Sequence, residues 1–436
     1  MEQIRIGVIG GGASGMTAAI IAAGAGADVM LLEGGERVGK KILSTGNGKC
    51  NFGNKSLSAE DYNGAEREWL RECLGQFDER ATEEFFGGLG LMWKEKNGYL
   101  YPYSEQATAV LDVLRIGLAR AGVRVVTECK VREVKLQMQS ENGLDHKGFL
   151  VISDAGNYHF DRVILACGSQ AAPKTGSDGS GYQLAKKLGH RIVPVVPALV
   201  QLRCRENFLK EVAGVRAEAR LTVLQERENT RNRIRESGEL QLTDYGISGI
   251  PVFQLSRKVN YILAAKEKNV SPEVEVSIDF LPDHSEEQAE RLWQDRIACL
   301  DKSGLTVEEF FTGMLNKKLM YLFIKLAGLK RDERAAKTDM RKLQRVFKLC
   351  RDFRVHVTGS NSFDQAQVCA GGVDTTQVGT DMQSKVVPGL YFAGELLDVD
   401  GRCGGYNLQW AWCSGYLAGR NAAGEGGEHV SFVQNE

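Results

Sequence analysis

What the chain lacks narrows its class before any motif is read. Its 10 cysteines are scattered from Cys50 to Cys413, with no Cys-x-x-Cys pair and no close Cys/His cluster. Neither a disulfide scaffold nor a metal centre is expected, and free thiols suit a reducing, cytoplasmic compartment. No run reaches the roughly 20 apolar residues of a membrane span. The longest candidate, Met16 to Met30, is rich in Gly and Ala and holds Asp28, so it reads as a packed helix and the strand after it. The start, Met1-Glu2-Gln3 followed at once by an apolar strand, leaves no room for a signal peptide. A formal net charge of -1 gives no general attraction for polyphosphates, so nucleic-acid binding would need a local basic patch. The short, interrupted stretch Arg231 to Arg235 reads as a solvated hairpin tip. No nucleic-acid or membrane partner is expected, and nothing in the composition points to an oligomeric state.

A chain of 436 residues suggests two or three domains, at about 100 to 200 residues each. Its 50 glycines exceed the usual share of about 7%, which predicts many tight turns or close backbone approaches.

The densest signal is N-terminal. Ile4 to Ile9 is a buried-strand run; Gly10-Gly11-Gly12-Ala13-Ser14-Gly15 satisfies Gly-x-Gly-x-x-Gly; Met16 to Ala23 forms a helix. Gly10 permits the tight turn, Gly12 lets the backbone approach a pyrophosphate, and Gly15 lets helix pack on strand. The phosphates then meet free N–H groups at the helix start, along Ala13 and Ser14. A second strand, Asp28 to Glu33, ends in a carboxylate 18 residues beyond Gly15, placed to accept from ribose hydroxyls. Strand, motif, helix, strand and acid in this order specify a dinucleotide.

The following segment chooses which one. Gly39-Lys40-Lys41 and Ser44-Thr45-Gly46-Asn47-Gly48-Lys49-Cys50-Asn51 form a long polar, glycine-rich loop in place of a prompt crossover helix. Loops longer than about 12 to 15 residues are usually functional or disordered, and this one suits the side of a flavin. Near the C-terminus, Gly389 to Glu395 reads as a strand ending in Gly394-Glu395, and Gly404-Gly405-Tyr406-Asn407 starts a helix running to about Asn421. Such a helix start stabilises an anion by roughly 0.3 to 2 kcal/mol, up to about thirtyfold in favour of a reduced anionic flavin. Midway, Arg162 to Ala166 is a strand ending in Cys167-Gly168-Ser169, with a helix from Tyr182 to Leu188 after Gly176 to Gly181. Gly122 to Glu128 is a further strand. No second complete Gly-x-Gly-x-x-Gly follows a strand, so NAD(P)H, if used, visits the flavin transiently.

From about Val195 to Arg354 the pattern changes. Arg220 to Leu224 and Glu273 to Ile278 alternate as half-buried antiparallel strands. Ser285 to Gln288 and Thr306 to Glu309 read as capping boxes opening helices that extend to about Cys350. The stripe Leu319, Leu322, Phe323, Leu326 has the spacing of a helix core. Thr243 to Pro251 sets polar groups beside Gly246 and Gly249.

The N-terminal fingerprint, the Gly39-Lys40-Lys41 and Thr45 to Asn51 loop, Gly246-Ile247-Ser248-Gly249 and the C-terminal block together resemble one family. It comprises bacterial flavoproteins that include aminoacetone oxidase-like enzymes and proposed 3-dehydro-bile acid reductases, and the resemblance spans nearly the whole chain. It implies an α/β fold: a Rossmann-like FAD-binding domain of the glutathione-reductase/fumarate-reductase kind (1-194 and 355-436), an inserted β-barrel-like subdomain (195-283 and about 351-365) and a helical lid subdomain (284-350). It adds Val131 to the adenine side, Asp398 near the ribityl and pyrophosphate, and Asn407 and Gln409 near the ring. Cys167 and Ser169 depart from the family's usual Ala-Thr-Gly-Gly, and Lys49 stands where Arg is common, losing a planar fork.

The expected activity is FAD-dependent oxidoreduction of a small or medium organic substrate. Reduction of a conjugated C=C bond of a bile-acid-like enone with NAD(P)H leads, and oxidation of an amine or aminoketone by oxygen is the alternative. A flavin redox sensor or RNA-modification flavoprotein is the reading from another class. Tyr245 and Tyr406 are candidate proton donors, and Asp244 and His356 candidate acceptors.

Overall fold

The structure is a computed structural model that describes residues 3–141, 144–224, 234–265, 273–300 and 304–424. Arg231 to Arg233 lie outside the described residues. Two units form: residues 1–196 with 367–436, and residues 197–366.

In the first unit, Ile6 and Val8 are fully buried, as the middle strand of a sheet covered on both faces requires. Strand Arg5–Ile9 is the centre of a five-stranded parallel sheet in the order Leu390–Phe392, Arg162–Leu165, Arg5–Ile9, Asp28–Leu32, Arg124–Val126. Helix Ala13–Gly24 begins inside the glycine motif, right after Gly12. The helix Tyr406–Ala423 lies against it at glycine distance: a Cβ at Gly415 would stand 2.5 Å from the Ser14 carbonyl oxygen, and one at Gly419 2.4 Å from that of Ala18. That approach joins the two ends of the chain in one core. A three-stranded antiparallel sheet, Val131–Glu141, Leu144–Ser153 and Gly156–Phe160, completes the nucleotide-binding pattern.

The second unit is built on a closed six-stranded antiparallel barrel, in the order Leu202–Cys204, Gly246–Gly249, Arg235–Leu242, Arg216–Leu224, Val274–Asp279, Phe353–Ser360. The two alternating segments read from the sequence are neighbours here, with Val223 opposite Val276. Both capping boxes form: Ser285 caps Gln288 and Thr306 caps Glu309, each with the reciprocal side-chain bond. The helices they open lie in the same compact unit as the barrel. Phe323 of the helical segment packs on Phe353 of the barrel at 5.1 Å between ring centroids, and both belong to one apolar cluster. Residues 355–360 likewise belong with the barrel, because strand Phe353–Ser360 closes it. Leu319, Leu322 and Phe323 are buried and Leu326 half-buried, so that stripe is core. No helix among the described residues is long and apolar enough to cross a membrane.

Candidate flavin site

Of the three motif glycines, Gly10 and Gly15 are closed in and Gly12 is open. Gly10 sits at φ +108°, and a Cβ there would lie 2.4 Å from the Ala166 carbonyl oxygen; at Gly15 it would lie 1.9 Å from that of Gly10. At Gly12 it would meet nothing within 4 Å. The open side therefore faces the start of a helix that no side chain caps, where the first-turn N–H groups have no intrahelical acceptor. That cradle fits a pyrophosphate.

Glu33 follows the second strand and closes the loop from below. Its Oε2 accepts from Gly11 N–H and its Oε1 from Gly35 N–H, each at 2.7 Å. A carboxylate has about four acceptor sites, so capacity for ribose hydroxyls remains. Gly39 N–H donates back to the Gly11 carbonyl at 2.8 Å, drawing the Lys40-Lys41 turn to the same place. Lys40 is exposed, whereas Lys41 Nζ meets Glu395 Oε2 at 2.6 Å. Ser169 Oγ donates to that same carboxylate oxygen at 2.8 Å. The serine that departs from the family pattern thus ties the end of strand Arg162–Leu165 to the Gly394-Glu395 turn.

The loop beyond is a sequence of left-handed residues: Gly46, Asn47, Gly48 and Cys50 have φ of 54°, 53°, 85° and 56°. Lys49 does not stand free there. Its Nζ pairs with Glu105 at 2.8 Å, Lys94 holds the other oxygen at 2.7 Å, and the two cations lower the Glu105 carboxyl to about 2. Burial pushes the Cys50 thiol up to about 11 and that of Cys167 to about 12, so neither is a thiolate at neutral pH. Gly168 follows Cys167 at φ +70°. Val131 opens its strand opposite Ser153, with its side chain buried. Asp398 is buried and accepts from Gly371 N–H at 3.0 Å.

At the C-terminal block, Gly404 and Gly405 take φ of 122° and 90°, and helix Tyr406–Ala423 starts without a side-chain cap. The Tyr406 hydroxyl donates to the Ser56 carbonyl at 3.3 Å, its ring stands edge-on to Tyr62, and partial burial raises its pKa. Two residues expected near the ring are also tied into the fold. Asn407 brackets Gly401, accepting from its N–H at 2.8 Å and donating to its carbonyl at 2.9 Å. Gln409 is fully buried and donates to Thr82 Oγ1 at 2.8 Å. Each amide pairs a buried group of the fold, Gly401 or Thr82.

The other candidates belong to the second unit. Tyr245 is half-buried on the turn before Gly246; its hydroxyl accepts from Asn361 Nδ2 at 3.1 Å and its ring carries the Arg203 guanidinium at 5.0 Å. Asp244 is exposed on the same turn. His356 Nδ1 lies 2.7 Å from Glu206 Oε1 on the half-exposed face of its strand, whose other face buries Val355 and Val357. Sequence reasoning missed Lys130, whose Nζ holds Asp178 Oδ2 at 2.6 Å and Ser180 Oγ at 2.8 Å. It also missed Tyr99, whose ring lies 2.8 Å from where a Gly404 Cβ would be. Neither had a signal beyond an ordinary strand end.

A parallel nucleotide-binding sheet, an open glycine cradle, an acid after the second strand and a glycine-opened terminal helix define an FAD-dependent oxidoreductase. The chain belongs to the HI0933-like family, whose Rossmann-domain description matches residues 4–421. It is 44% identical to a 3-dehydro-bile acid delta(4,6)-reductase of Clostridium scindens, over 96% of this chain and 99% of that protein. It is 29% identical to a ribosomal RNA dihydrouridine synthase of Escherichia coli, over 97% and 98%. Among solved structures, a 3-ketosteroid delta1-dehydrogenase from Sterolibacterium denitrificans aligns with a TM-score of 0.51 at 12% identity, covering 97% of this chain and 100% of that one. That last likeness is one of fold.

Proposed function

We propose that the protein reduces a carbon–carbon double bond conjugated to a carbonyl, with electrons drawn from NAD(P)H, on a bile-acid-like enone. The names of both groups of relatives describe one chemistry. A 3-oxo-delta(4,6) steroid and a uracil ring each present a C=C bond polarised by a carbonyl, and each gains two hydrogens.

FAD held in this cradle and reduced by NAD(P)H would supply the hydride for the carbon β to the carbonyl. The chain's part is to hold the cofactor and deliver a proton to the α-carbon. The observation that carries the reading is Tyr406: a half-buried phenol at the first turn of a glycine-opened helix, its hydroxyl within 3.3 Å of the Ser56 carbonyl. A group that keeps its proton at neutral pH suits donation, which reduction needs, better than abstraction, which amine oxidation needs. The residues that hold FAD on this reading are Gly10, Gly12, Ala13, Ser14, Gly15 and Glu33, with Lys41 and Glu395 bracing the loop.

The test is anaerobic mixing of the yellow protein with NADH and with NADPH, followed by a 3-oxo-4-ene steroid acid. Bleaching of the flavin and its return on adding the enone is the expected result. No bleaching by either nucleotide, with oxygen uptake on amines, would establish an oxidase.

A further inference from the structure

The glycine-rich loop that ends at Asn51 leads straight into a three-stranded antiparallel sheet, in the order Gly53–Asn54, Tyr99–Pro102, Trp93–Lys96. Its middle strand alternates: Leu100 and Pro102 are buried, whereas Tyr99 and Tyr101 are half-buried. Residues directly opposite in an antiparallel pair share a face, so Lys96 stands with Tyr99 and Lys94 with Tyr101. The Tyr103 N–H donates to the Met92 carbonyl at 2.8 Å and carries the pairing one step on; the two residues are 62% and 73% exposed. A solvated strand face is ordinarily polar, and this one presents flat rings flanked by lysines instead.

The two ends of the face differ. At one end a Cβ on Gly404 would lie 2.8 Å from the Tyr99 ring and 3.5 Å from that of Tyr406, so both phenols flank the helix start where the flavin ring is expected. Asn54 Nδ2 fixes that end by donating to the Gly404 carbonyl at 3.0 Å. At the other end Lys49 and Lys94 share Glu105, and Lys94 Nζ lies 5.4 Å from the centre of the Tyr103 ring. Two cations on one carboxylate leave an excess of positive charge. Glu105 is held there at φ +52°, a backbone conformation that residues with a side chain rarely take. The Tyr101 hydroxyl stands between the ends: partial burial and the Tyr99 hydroxyl raise its pKa, and Lys49 lowers it. At about 3.3 Å per residue, Tyr99 and Tyr103 are about 13 Å apart, room for a fused tetracyclic skeleton laid along the strand.

We infer that this tyrosine face is the substrate platform, taking a flat fused-ring carboxylic acid with its enone at the Tyr406 end and its carboxylate at Lys94. The inference rests on the proposed enone reduction and adds the residues that choose its substrate: Tyr101 and Tyr103 by ring contact, Lys94 by charge. The uncompensated cation selects an acid over a neutral molecule of the same shape. Glu105 competes with the substrate carboxylate for the same lysines, so removing its charge strengthens binding of the acid.

The experiment is equilibrium dialysis of the oxidised, FAD-loaded protein against a 3-oxo-4-ene steroid acid and its methyl ester, with no reductant present. Wild type holds the acid about fivefold more tightly than the ester at low salt. K94Q abolishes that preference by weakening the acid alone, and E105Q enlarges it about threefold. Y103A weakens acid and ester alike, by about fivefold to tenfold. K135Q, on strand Val131–Glu141, removes a lysine elsewhere and leaves both affinities unchanged. If K94Q loses FAD, sodium chloride at about 1 M on wild type takes its place, since screening over about 3 Å must erase the same preference. Equal affinity for acid and ester in wild type, no binding of either, or unchanged binding in K94Q and Y103A would overturn the inference. A loss of NADPH affinity in these variants in place of the acid's would overturn it too. Because binding is read without turnover, an acid held with preference but never reduced refutes the reduction and keeps the platform. Enone turnover indifferent to these variants refutes the platform and keeps the reduction.

Discussion

Lys41 Nζ and Glu395 Oε2 meet at 2.6 Å, joining the loop after the second strand to the turn after the last strand of the sheet. The two residues are 354 positions apart, and Ser169 Oγ completes the junction at 2.8 Å. Both charges are mostly screened from solvent, at 23% and 18% side-chain exposure. Replacing either alone, as K41M or E395Q, is expected to weaken FAD retention about tenfold. The double variant should lose less than the sum, with a coupling of roughly 1 kcal/mol in a cycle read by flavin titration.

The glycines of the first loop separate binding from folding. At Gly15 an added methyl collides with the Gly10 carbonyl, whereas at Gly12 it enters open space. G15A is expected to unfold or to express poorly. G12A should keep the melting temperature of the cofactor-free protein and lose FAD, seen as a colourless but folded preparation.

Two phenols compete for the role of proton donor. Y406F should lower enone turnover by about a hundredfold or more, the usual size of a lost general acid, while flavin content stays full. Y245F, which removes only the hydroxyl that accepts from Asn361, should change turnover less. The reverse order would move the donor to the barrel.

Stability carries a histidine signature. His190 is buried, its Nδ1 faces the Ala185 carbonyl at 3.3 Å and its Nε2 the Ser384 hydroxyl at 2.7 Å. The carbonyl can only accept, so Nδ1 carries the proton and Nε2 accepts from Ser384. Burial lowers the His190 pKa below its ordinary 6.5. The fold thus favours the neutral ring: its contribution is full above about pH 6.5 and is lost as pH falls through the lowered value. The melting temperature of wild type should fall between about pH 7 and pH 5 more steeply than that of H190L, which has no proton to take up.

Local chemistry was legible without coordinates wherever one short segment is sufficient. Gly10, Gly12 and Gly15 between a strand and a helix, Glu33 at the end of the next strand, and the boxes at Ser285 and Thr306 all form as their spacing requires, because each depends on backbone geometry over a few residues. Alternation at Arg220 to Leu224 and Glu273 to Ile278 marked barrel strands, but not that they are neighbours.

Side-chain partners across long separations were decided only by the tertiary structure. Asn407 pairs with Gly401 and Gln409 with Thr82, partners that the local sequence does not name. Lys49 finds Glu105, and Ser169 finds Glu395, through packing that no local pattern encodes. Charge followed the same rule. Its sum over the whole sequence nearly cancels, and only strand register and packing set Lys49 and Lys94 together on one carboxylate.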